Sequence, residues 1–264
     1  MEILDIKSKK ELLKHKNNFY KKNIIKSFKE RKNINISRVF SLENLISDDD
    51  MFLININKFT TFDGQNYNNN PLIKTSLELI KNIKLEKEKS YLYYYYQFFQ
   101  PKTFSELFNI SLDNNLSQLK STTIFFPWIH KSPIKNFKAG LFGPKDITNV
   151  EHRIIRLKNL INNIEEYGYI PSNNDIITGY ILLKKNDFRF LITGGHHRVA
   201  VLAALNEKKN KYNKIMVKYE RKRSNIKIVS ENDVDDWPAV KNEYVGSKDA
   251  LELFHIVNQI TSFF

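Results

Sequence analysis

Apolar residues recur along this chain with two periods, and the changes between them mark its elements. In MFLININKF, Phe52, Ile54 and Ile56 alternate with polar residues, which is the period of a half-buried strand. A loop by composition, DGQNYNNN, separates it from PLIKTSLELIKNIKL, where Leu72, Ile73, Leu77, Ile80 and Ile83 fall at helical spacing. Residues 90–108 are unusually aromatic, and one face of a helix there would carry Tyr91, Tyr94, Tyr95 and Phe98. Such a helix is either an aromatic wall for a ligand or for bases, or an element buried all round in a core. Pro101 ends it, because proline cannot continue a helix interior. Residues 112–146 read as a long connection in which Gly and Pro cluster, and they predict a domain boundary.

The pattern tightens after residue 146. Ile154, Leu157, Leu160, Ile161 and Ile164 recur at helical spacing, and Gly168 is placed to cap that helix. GYILLK and DFRFLIT read as two strands joined by a short polar turn, with Phe188, Phe190 and Ile192 alternating. A helix of small apolar residues follows and runs to about Asn206. KIMVKYE and NIKIVS are two more strands, and VDDWPAV is an ordered turn around a buried tryptophan. A last helix starts after Ser247, its expected N-cap, and carries Ala250, Leu251, Phe254, Ile256 and Val257. The first 35 residues, rich in Lys and Asn, predict only a polar helix near 9–28.

Composition narrows the chemistry. The 264 residues are 41% hydrophobic, enough for one sizeable core or for a core with a smaller one appended. The absence of cysteine excludes disulfides, thiolate metal sites and a cysteine nucleophile. The start, MEILDIKSKK, lacks the apolar stretch of a signal peptide, and no run approaches the ~20 residues of a membrane span. A cytoplasmic protein with no membrane span is expected. The formal net charge of +13 fits a polyanionic partner such as nucleic acid. It fits equally well the Lys- and Asn-rich composition of an AT-rich genome, since the lysines are spread along the chain.

One stretch is more specific, LITGGHHRVAVLAAL. A helix N-terminus carries a partial positive charge and binds anions, and glycines before it let a phosphate approach the backbone. Gly194 and Gly195 form that approach, and His196, His197 and Arg198 fall in the first turn. Arg198 can grip phosphate oxygens in a bidentate manner, and a histidine can donate to phosphate or relay a proton. The blander reading is a glycine turn capped by two histidines. A zinc site is disfavoured, because adjacent histidines diverge and nothing completes a tetrahedral set.

The order of the helix RLKNLINNIEEYG, the hairpin ILLKKNDFRFLIT, the loop GGHHRVAVLAAL and the strand IMVKYE resembles the ParB/sulfiredoxin fold. That family shares a G-x-H-R or G-x-R-R loop that holds nucleotide phosphates. The resemblance covers about residues 143–240. Sulfiredoxins resemble GGCHR here, but His196 stands at the cysteine position, so that chemistry is excluded. Segregation ParB proteins resemble GERR, bind CTP and continue into a helix-turn-helix domain, for which too little chain follows Asn206. The loop is most similar to the GHHR form of the free-serine kinases, which use a glutamate near the start of the helix before the hairpin.

Glu151 lies in that region, and the resemblance makes it the candidate catalytic base with His197. The same residue closes an S/T-x-x-E capping box with Thr148, so capping is a second reading. Arg153 and Arg156 are anion-binding candidates, although solvated arginines are the safer reading, and His152 reads as ordinary. The kinases tend to carry an acidic residue where Gly194 stands, so a Mg²⁺-positioning carboxylate is in question.

The expected architecture is α+β. A ParB/sulfiredoxin-like mixed sheet with helices, including the C-terminal helix, occupies residues 141–264, and a mostly helical region occupies residues 1–140. The expected ligands are a nucleotide (ATP, ADP or CTP) with Mg²⁺, and a small hydroxylated acceptor such as an amino acid, sugar or polyol. The alternative is a non-enzymatic ParB-like module that binds nucleic acid or regulates.

Overall fold

The structure is a computed structural model and describes residues 51–61, 70–98, 126–131, 144–171, 176–185, 187–220 and 228–259. The expected helix near 9–28, Pro101 and most of the long connection lie outside the described residues.

Strands β1 (Phe52–Asn55) and β2 (Phe59–Thr60) flank a single 3₁₀ turn. Helix α1 (Pro71–Lys81) is started by Asn70, whose side chain accepts from the Leu72 and Ile73 amides, and by Pro71 in the first turn. It stops at Lys81, short of the expected periodicity, and leaves Ile83 36% exposed. Helix α2 (Tyr91–Phe98) follows, and its first amides are also satisfied by side chains. The Tyr91 N–H donates to Glu78 Oε2 at 2.9 Å and the Leu92 N–H to Thr75 Oγ1 at 2.8 Å.

The aromatic helix is not buried all round. Leu92 and Tyr96 face the core, but Tyr94 and Phe98 are 55% and 70% exposed and stack with ring centroids 5.8 Å apart. Eight residues packed on one side leave the other side in solvent.

Helix α3 (Ile147–Tyr167) buries Val150, Ile154, Leu157, Ile161 and Ile164 and ends at Gly168, as its spacing predicts. Strands β3 (Ile177–Lys184) and β4 (Asp187–Gly194) form the hairpin, and α4 (His196–Lys209) follows at once. Strands β5 (Lys214–Tyr219) and β6 (Ile228–Ser230), a 3₁₀ turn (Glu231–Asp236), the short α5 (Pro238–Lys241) and α6 (Ser247–Gln259) complete the order. Ser247 is the first residue of α6 rather than its N-cap. Its hydroxyl donates to Asp235 Oδ1 at 2.6 Å and ties the helix to the preceding turn.

The strands form one mixed sheet in the order β1-β5-β3-β4-β2, with β6 pairing further along β3. Strand β3 is antiparallel to β4 and parallel to both β5 and β6. Strand β1 pairs antiparallel with β5, and β2 pairs parallel with β4. Residues 52–60 therefore share a sheet with the hairpin more than 100 residues later.

The sheet is covered on both faces. Ile181, Leu183, Phe190 and Ile192 join the core under α1–α4, while Tyr180, Leu182 and Leu191 join a second core with Trp128, Trp237 and Phe254. Coverage on both faces explains why the middle of β3 is a continuous apolar run rather than an alternation. Trp128 Nε1 donates to the Tyr180 hydroxyl at 2.9 Å, and burial pushes that phenol far above its ordinary pKa. Among the described residues, no helix is long and apolar enough to cross a membrane.

Candidate anion site at the start of α4

Strand β4 ends at Gly194 and α4 begins at His196, so Gly195 alone makes the turn. Gly195 is left-handed, with φ +85°, and a Cβ there would lie 3.0 Å from Ile177 Cγ1 and 3.2 Å from its Cα. Any side chain would be strained both in the backbone and against β3. At Gly194 a Cβ would come within 2.5 Å of the Thr178 hydroxyl oxygen. The two glycines keep a helix N-terminus free of side chains at the end of the sheet, and Gly195 has none with which to cap it.

His197 is the centre of this site. Its Nε2 is buried and has no hydrogen-bond partner among the described residues. Its pKa is pushed down to about 3, first by burial and then by the charges of Arg156, Arg153, His196 and Arg198. Arg153 is held in place, its Nε donating to Asn149 Oδ1 at 2.8 Å and its guanidinium lying 5.1 Å from the centre of the Tyr96 ring. Burial and Arg153 together lower the pKa of Lys145 as well. Positive charge thus converges on a half-buried imidazole, its Nε2 inaccessible, at a helix N-terminus. An anion would relieve both the repulsion among the cations and the unpaired nitrogen.

The loop residues are brought together as the sequence implies. The charges of Arg153 and Arg156, for which the sequence favours a solvated reading, act there too. Arg153 is half-buried and Arg156 is exposed, and both are among the charges that act on His197. Their signal is an i, i+3 pair of arginines flanking the apolar stripe of α3, but the sequence does not say that α4 packs on that flank.

Glu151 is placed elsewhere. It is half-exposed and pairs with Lys87 Nζ at 3.1 Å. About 200° of helical rotation separates it from Arg153, which puts the two on opposite flanks of α3. The capping box does not form. The helix starts two residues earlier than that motif requires, and its N-cap is Asp146, whose carboxylate accepts from the Thr148 amide at 2.9 Å. A hydrogen bond from the Thr148 hydroxyl, together with the one from its amide, holds the Asp146 carboxyl below the usual carboxylate range. His152 is exposed on the helix surface.

A carboxylate the sequence reading missed stands at the same end of the sheet. Glu220 follows β5, and its Oε2 accepts from Thr193 Oγ1 at 2.8 Å and from Thr178 Oγ1 at 3.4 Å. Among the described residues, no group of three or more His, Cys, Asp or Glu is arranged to hold a metal ion.

The low pKa of His197 makes stability depend on acid. The unfolded histidine takes up its proton near pH 6.5 and the folded one only near pH 3, so stability is lost as pH falls through that window. The loss is of the order of 4 kcal/mol. Urea melts from pH 7.5 to 3.5 should show a steeper decline in the wild type than in His197→Gln. Parallel declines would show that His197 is not held neutral.

Compared with models of known protein families, with curated protein sequences and with solved structures, the chain matches none.

Proposed function

We propose that residues 194–198 bind the phosphates of a nucleotide, and that the protein transfers a phosphoryl group from it to a small hydroxylated metabolite. The observation that carries this reading is the buried, unpartnered Nε2 of His197, set among Arg153, Arg156 and Arg198 at the start of α4. Phosphoryl transfer asks the protein for positioning and charge stabilisation more than for covalent chemistry. The arginines would spread over the equatorial oxygens, the helix N-terminus would face a bridging or terminal oxygen, and the neutral His197 would donate through its N–H. The likeness of the loop to the GHHR kinases supports the same reading. Mg²⁺, when bound, would neutralise charge on the donor phosphates.

Glu151 serves this reading less well than the loop does, because its carboxylate faces Lys87. Glu151→Gln is expected to leave nucleotide affinity within about twofold of wild type, and to retain turnover on whichever acceptor supports it. Intact binding with turnover abolished would reinstate Glu151 as the base.

The test is a thermal-shift panel of ATP, ADP, CTP and GTP. A ligand that binds only the folded state raises the melting temperature by mass action. A shift with one of them, lost in Arg198→Ala, is the expected result. The absence of a shift with any nucleotide would overturn the reading.

A further inference from the structure

Thr178, Thr193 and Glu220 come from three different strands and meet at one end of the sheet. Thr178 starts β3, Thr193 closes β4, and Glu220 follows β5, its N–H donating to the Gly179 carbonyl at 2.9 Å. Their neighbours Ile177, Ile192 and Tyr219 all pack into the core under α1–α4. Because side chains alternate along a strand, the two hydroxyls and the carboxylate project from the other side. The glycine turn therefore runs as a ridge, with His197 and the arginines on one flank and Glu220 on the other.

That ridge is bare. A Cβ at residue 194 would collide with the Thr178 hydroxyl, and one at residue 195 with Ile177. A chain of phosphates lying across it would meet cations on one side and, on the other, a carboxylate braced by two hydroxyls. One carboxylate with nearby hydroxyls, completed by the oxygens of the ligand, is how Mg²⁺ is commonly held beside phosphates, since it keeps much of its water and rarely uses an all-protein cage.

We infer that Glu220, oriented by Thr178 and Thr193, is the protein's ligand to a divalent cation carried on the nucleotide phosphates, so that the site takes the Mg²⁺–triphosphate complex rather than the free triphosphate. This rests on the phosphate reading of residues 194–198. Glu220 supplies an oxygen, direct or through one water, and the threonine hydroxyls fix the rotamer that presents it.

The experiment is calorimetric titration with ATP and with CTP, each in Mg²⁺ and in EDTA, on wild type, Glu220→Gln and Thr193→Val. Glutamine keeps an acceptor for both hydroxyls, and valine keeps the shape of threonine, so neither change forces the strands apart. In wild type, Mg²⁺ should tighten the triphosphate by about tenfold or more. Glu220→Gln should bind at least as tightly as wild type in EDTA and lose the gain from Mg²⁺, and Thr193→Val should lose part of it. Mn²⁺ in place of Mg²⁺ gives a second readout: the broadening of its electron paramagnetic resonance in the ternary complex should change in Glu220→Gln. Retention of the Mg²⁺ gain in both variants would overturn the assignment of Glu220. Wild-type binding with no Mg²⁺ gain would overturn the cation site and leave the phosphate site standing. No triphosphate binding in either condition would overturn both.

Discussion

Arg198→Ala is expected to weaken binding of the preferred nucleotide by about 30- to 100-fold, with little change in the melting temperature of the unliganded protein. The loss corresponds to about 2–2.7 kcal/mol, within the range of a charge-assisted, two-pronged contact to phosphate. Arg198 lies in the first turn of α4 and is half-buried, and its charge is one of those that depress the His197 pKa. On the proposed reading, removing it takes away a phosphate contact and part of the cationic field together. Arg198→Lys restores the charge but not the planar fork, so it should recover only part of the affinity. Arg198→Ala should also raise the His197 pKa, which two-dimensional NMR of the imidazole resonances would follow. Nucleotide affinity unchanged in Arg198→Ala would separate this arginine from the ligand and, with it, the first turn of α4 from phosphate binding.

Gly179→Ala is the substitution expected to damage the fold most. Gly179 lies in β3, next to the irregularity in its pairing with β4, and faces Ile192 in register. A Cβ there would sit 2.1 Å from the Leu191 carbonyl oxygen and 2.7 Å from the Phe190 ring. The carbonyl is backbone of the neighbouring strand, and Phe190 is fully buried between Phe52 and Phe59. Neither can yield without opening the β3–β4 pairing that carries the glycine turn. Overpacking of this kind costs about 3 kcal/mol or more, a large share of the roughly 5–15 kcal/mol that holds an ordinary domain folded. Soluble yield and urea unfolding measure it. Gly168→Ala is the contrasting control, since nothing lies within 4 Å of its Cβ position and only its φ of +76° opposes the change. A Gly179→Ala protein that melts within a few degrees of wild type would mean that the two strands separate at little cost.

The glycine turn and helix start at residues 194–198 were legible because they are local. A strand period, two glycines and a helix period in immediate succession force a backbone turn whatever surrounds them, and His196, His197 and Arg198 fall in the first turn by counting. The same holds for the apolar stripe of α3 and for Gly168 at its end. Glu151 shows where this stops. Its place near the start of α3 was correct, but the start of the helix moved by two residues once Asp146 took the cap, and the carboxylate went to Lys87. Capping residues compete, and the sequence contains both Asp146 and Thr148 without ranking them.

What the sequence by itself determined is the order of helices and strands in the described hairpin region, the glycine turn and the cationic first turn of α4. Each follows from periodicity or backbone sterics over a few consecutive residues. Only the tertiary structure decided which distant groups face that turn. Parallel pairing of β5 with β3 sets Glu220 beside Thr178 and Thr193, and packing of α3 near α4 brings the charges of Arg153 and Arg156 to bear on His197. Strand register and helix-to-helix contact are fixed by shared burial across many residues. A carboxylate or guanidinium at the edge of an apolar stripe carries no mark of which neighbour that burial will bring to it.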